Sequence, residues 1–148
     1  MISQKQIQKI IEVYEKARKV LRKLGRGCVG RSERNVLKTF NVYELVFAHD
    51  VKICSDGVVI NVGVAEVDKD EGRVLRETAI TLRHPYCGYG CLKLDVIISK
   101  DFEQYLDMVR NKLNEIIDKL DEIFKDELTN LLKEFETSVT QVIHIKNC

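Results

Sequence analysis

From Phe102 the apolar residues Leu106, Val109, Leu113, Ile116, Leu120, Phe124, Leu128, Leu131 and Phe135 follow at steps of three or four. That spacing lines them along one face of an α-helix. A helix over residues 101–136 would be about 54 Å long at roughly 1.5 Å per residue. A chain of 148 residues makes one domain whose radius of gyration is only about 15 Å. The helix must therefore be covered by another helix, fold back at a kink, or meet a second chain. The consecutive steps of four at Leu120, Phe124 and Leu128 depart from a strict heptad, so a uniform coiled coil is not expected.

The only other helical pattern is too short to cover it. Ile7, Ile10, Tyr14, Ala17, Leu21 and Leu24 share one stripe, with Ser3 placed as N-cap and Gly25 as the C-terminal stop. This helix over residues 1–24 supplies about 33 Å. The expectation is a homo-oligomer, a dimer in the simplest case, joined through Leu120, Phe124, Leu128, Leu131 and Phe135.

Between the helices the period changes from helical to alternating. Residues 25–35 are glycine-punctuated and basic, which reads as a loop. Val, Ile, Thr, Phe and Tyr then dominate, and Gly-containing turns after Ser55, after Asp68 and after Pro85 cut the region into four strands, near 36–53, 58–67, 73–83 and 92–98. Short connections favour an antiparallel meander. The fold class expected is α+β: one domain with an N-terminal helix, a four-stranded antiparallel sheet over residues 36–98, a long helix over 100–137 and a short last strand near 140–146.

The net charge of +1 hides a segregation. Residues 1–38 hold eleven Lys/Arg and three Asp/Glu, a local charge of +8, while residues 100–148 carry −4. One reading is a nucleic-acid-binding accessory protein in which Lys19, Arg22, Lys23, Arg26, Arg31 and Arg34 contact phosphates and release counterions. The other is a basic helix beside an acidic one, with charges flanking a shared apolar seam.

His84, Cys87 and Cys91 have metal-ligand spacing, and Cys54 is a candidate fourth ligand, so zinc is one reading of that turn. A Cys87–Cys91 disulfide is another. Five cysteines leave at least one without an intrachain partner, which suits a reducing compartment. The opening residues lack the apolar core of a signal peptide, and no apolar run approaches the roughly 20 residues of a membrane span. A cytoplasmic location is expected, with no membrane partner. The absence of Trp and the abundance of Lys, Glu, Ile and Val resemble proteins of hyperthermophiles, whose intracellular proteins do carry disulfides.

No arrangement reaches the grade of a catalytic motif, and no small-molecule substrate is indicated. Asp50-Val-Lys52, followed by Glu66 and Asp68, leaves a metal-dependent nuclease as the third class, with His84 beside Cys87 as a thiol-enzyme variant. The leading expectation is a non-enzymatic assembly or adaptor protein working through its amphipathic helices, with no catalytic residue and no resident cofactor.

Overall fold

The computed structural model describes residues 2–87 and 91–147, with side chains through residue 134. The first helix, α1 (Gln4–Lys23), starts as its sequence requires. The Gln6 amide donates to Ser3 Oγ at 3.1 Å and the Ser3 amide donates to Gln6 Oε1 at 3.0 Å, a capping box that satisfies two orphan donors. At the far end Gly25 takes φ +67°, and the Arg26 amide donates to the Leu21 carbonyl at 3.0 Å. Only a residue free of a Cβ enters that left-handed turn without strain. Ile10, Val13, Ala17 and Leu21 are buried, each full burial contributing about 1.5–3 kcal/mol for the larger side chains.

The chain is α+β, with one antiparallel sheet in sequential order: β1 (Cys28–Thr39), β2 (Tyr43–Cys54), β3 (Gly57–Asp68), β4 (Val74–His84) and β5 (Lys93–Ile98). There are five strands where four are expected. The basic segment read as a loop is mostly β1, and the single strand read over 36–53 is a hairpin. As an edge strand β1 buries only Val29, and its charged side chains stand in water while guarding the edge against stray pairing. Such a composition looks like a loop. The β1–β2 turn contains neither Gly nor Pro; the Phe40 amide closes it on the Tyr43 carbonyl at 2.9 Å, and the two rings stack at 4.4 Å.

One face of the sheet is the core. Val58, Ile60, Val62 and Val64 of β3, Val51 and Ile53 of β2, and Ile80 and Leu82 of β4 are almost wholly buried beneath the helices. A 3-10 turn (Glu103–Tyr105) leads into α2 (Leu106–Asp118), which lies over β3 and β4. Neither Ser99 nor Asp101 caps this helix. The Ser99 hydroxyl instead accepts the Glu77 amide at 2.9 Å, and Asp101 sits at φ +60°.

The expected single long helix breaks at Lys119 (φ −103°, ψ 9°) and resumes as α3 (Leu120–Asn147), which packs on β1 and α1. Ile116 and Ile117 are both buried at the break, because the apolar stripe rotates there from the sheet towards α1. The kink lays the first part of α3 against α1 and β1 of its own protomer. Leu120 and Phe124, expected at an interface between chains, are committed to the protomer's own core, with Leu128 and Leu131 partly buried against it. Phe135 lies outside the described side chains. Residues 140–146 continue the backbone of α3 in place of the expected last strand.

Candidate functional site

Among the described residues, no helix lines the other face of the sheet. Alternation along the strands sends every second residue there, and the antiparallel register arranges these residues in rows that cross the sheet. One row runs Arg34, Ala48, Gly63, Ala79 and Ile97, through all five strands. Its three central members are the smallest side chains available, so the middle of the row is a depression. On one side lies a polar row of Ser32, Asp50, Asn61, Thr81 and Asp95. On the other lie Val36, Val46, Ala65 and Glu77, with Val67 and Val74 beyond.

The result is a trough of about 660 Å³. It spans about 19 Å across the strands at roughly 4.8 Å per strand, and about 14 Å from the polar row to the valine row at roughly 3.4 Å per residue. Its volume falls in the range of ligand sites, about 300–1,000 Å³. Val46 is nearly covered although it faces the open side, so the apolar wall is well packed.

The polar row is internally ordered. Ser32 Oγ donates to Asp50 Oδ1 at 2.6 Å, and Thr81 Oγ1 donates to Asn61 Oδ1 at 2.6 Å. The Asn61 amide nitrogen and the second Asp50 oxygen make no hydrogen bond among the described residues, so a donor pair and an acceptor face the trough side by side. The charged lining residues Glu33, Arg34, Asp50 and Glu77 sum to −2, which disfavours an anionic occupant.

The residues expected to meet nucleic acid do not share one surface. Arg31 turns to the helix side, where it pairs with Glu127 at 3.0 Å and Asp126 at 3.7 Å and ties α3 to β1. Lys16 pairs with Asp121 at 3.2 Å, and Lys9 donates to the Asp118 carbonyl at 3.1 Å, so part of the basic segment does flank an acidic neighbour. Lys19, Arg22 and Lys23 stand with Arg18 on the outward side of α1, Arg26 lies beside Leu24 and Leu131, and Arg34 is at the trough.

The four tentative zinc ligands are not brought together as thiolates. Cys28 is bonded to Cys54 and Cys87 to Cys91, and a disulfide sulfur is no metal ligand of the thiolate kind. Among the described residues no group of three His, Cys, Asp or Glu side chains converges to hold a metal. His84 is buried edge-on to Tyr14, with ring centroids 5.3 Å apart, and burial holds its imidazole below the usual histidine range. Among the described residues no helix is long and apolar enough to cross a membrane.

The acidic residues of the nuclease reading also separate. Asp50 faces the trough, Glu66 faces the helices and pairs with Arg76 at 2.8 Å, and Asp68 is occupied by the amides of Asp70 and Glu71 in the β3–β4 turn. His49, also on the helix side, has its Nε2 3.8 Å from Glu33; burial first, and then the charge of Lys112, hold its pKa down.

Sequence reasoning missed Ala48, Gly63, Ala65 and Ala79, because a small residue in a strand announces nothing alone. The available signal was parity: in β3 the large apolar residues Val58, Ile60, Val62 and Val64 occupy even positions, while Gly63 and Ala65 fall on the odd ones. No protein-family model matches this chain, and neither a curated protein nor a solved structure matches it.

Proposed function

We propose that this chain is a non-enzymatic binding protein, an adaptor whose working surface is the trough on the open face of its sheet. Its occupant is an elongated, mainly apolar small molecule with one neutral polar end that both donates and accepts, such as a hydroxyl. That end donates a hydrogen bond to Asp50 and accepts one from the Asn61 amide, while the apolar body lies along Ala48, Gly63 and Ala79 against Val46, Val67 and Val74. The observation that carries this reading is the unbroken row of small residues crossing three adjacent strands between a polar and an apolar ridge. A solvated sheet face is ordinarily polar throughout. Large apolar patches left open mark sites of binding.

The test is titration with the neutral solvatochromic dye Nile red, displaced by a long-chain alcohol. Saturable binding, weakened about tenfold or more by Ala48→Phe and Ala65→Phe, which fill the trough without touching the core, supports the proposal. Binding unaffected by both substitutions sinks it.

A second reading rests on a different observation. Arg18, Lys19, Arg22 and Lys23 line one outward face of α1 and make no salt bridge among the described residues. On this reading they contact nucleic-acid phosphates. That reading requires affinity for duplex DNA or RNA that falls steeply between about 50 and 200 mM salt. An absence of retardation at low salt removes it.

A further inference from the structure

The two edges of the sheet are built differently. The β1 edge carries Arg31, Glu33 and Arg34 and is flanked by α3. The β5 edge ends in Val96, Ile97 and Ile98, exposed to 44%, 52% and 44%. The partners of Val96 and Ile98 one strand inward, Ile80 and Thr78, are fully buried. The helix layer therefore stops short: α2 covers β3 and β4, and β5 projects beyond it with apolar side chains on both faces.

The backbone points the same way. The Ser99 amide donates to the Glu77 carbonyl, which marks the odd-numbered residues of this ladder as those bonded to β4. The amides and carbonyls of Leu94, Val96 and Ile98 are then directed outward from the terminal strand. Free main-chain groups between apolar side chains are a template for another strand.

We propose that β5 pairs antiparallel with β5 of a second copy of this chain, placing Ile97 beside its symmetry mate and making one ten-stranded sheet. A second copy is favoured over other partners for two reasons. The opposite edge is charged and flanked, so a β5–β1 contact is disfavoured and would in any case propagate without closing. A two-fold β5–β5 contact closes at two chains and matches apolar to apolar on both faces. To be stable, such a contact must bury about 1,000 Å² or more over the two chains. Because Ile97 ends the row that runs through Ala48, Gly63 and Ala79, the two troughs would meet at the Ile97 pair. The pairing itself does not depend on the trough's being occupied.

Sedimentation of the full chain at micromolar concentration tests it, with a cross-linking arm. The expected mass is twice the 17.1 kDa of the chain. Val96→Glu with Ile98→Glu should halve it while the thermal unfolding temperature of the sheet is retained. In a Cys148→Ser background, Ile97→Cys should oxidise to a covalent dimer, and Val42→Cys, at the distant β1–β2 turn, should not. A monomer at every concentration, open-ended polymers, a dimer indifferent to the glutamates, or cross-linking equal at positions 97 and 42 would each overturn the proposal.

Discussion

Gly63 on β3 stands opposite Ala79 on β4 at the centre of the open face, and a Cβ added at Gly63 would come within 3.1 Å of the Ala79 Cβ and 3.4 Å of the Thr78 carbonyl oxygen. The depression is thus a property of the backbone, kept by the absence of a side chain. Gly63→Val should destabilise the fold by about 1–3 kcal/mol, the range for an overpacked site. Chemical denaturation read by circular dichroism checks it, and an unchanged midpoint would mean that the strands are less closely apposed at this point.

Leu120 distinguishes a core residue from an interface residue. Fully buried at the start of α3, it should cost about 2–5 kcal/mol when cut to alanine. The loss should be independent of protein concentration, because the contacts are within one protomer. Leu132→Ala, on the exposed side of the same helix, should change stability by less than about 0.5 kcal/mol.

Acid should weaken the fold through two histidines. Burial holds both His49 and His84 below the usual range, and Lys112 adds to the effect at His49. In the unfolded chain both titrate near about 6.5. Below that pH the unfolded state takes up protons that the folded state refuses, so stability is full above about 6.5 and declines as the pH falls. Urea midpoints between about pH 7.5 and 5.5 should show that decline, and His84→Phe, which preserves the edge-on contact with Tyr14, should flatten it.

Cys28 and Cys54 close a loop with a sequence separation of 26 across the β1–β2 hairpin. Loop-closure entropy for that length is worth about 3.5 kcal/mol. The double variant Cys28→Ser, Cys54→Ser should lose stability of that order. A loss below about 1 kcal/mol would show that the hairpin is held without the bond.

Much of the architecture was legible in the sequence. Ser3, Gln6 and Gly25 bound α1 through local hydrogen bonding, and local signals of that kind survive translation into structure. The alternation at Val58, Ile60, Val62 and Val64 likewise marks the buried face of β3. Two features were hidden for physical reasons. An edge strand such as β1 is selected for charge, and its pattern then imitates a loop. The break at Lys119 carries no Gly or Pro, and arises because the stripe changes packing partner from the sheet to α1. The length of the apolar stripe correctly demanded cover; the cover comes from the same chain for Leu120 and Phe124. The trough was invisible for a different reason, since Ala48, Gly63 and Ala79 become neighbours only through the register of three strands.

Backbone amide chemical shifts, followed while a long-chain alcohol is titrated into isotopically labelled protein, test the binding surface most directly. The account predicts that the largest changes fall on Ala48, Asn61, Gly63 and Ala79, with the outward face of α1 silent. Changes centred on Arg18, Lys19, Arg22 and Lys23, or none on the open face at saturating alcohol, would contradict it.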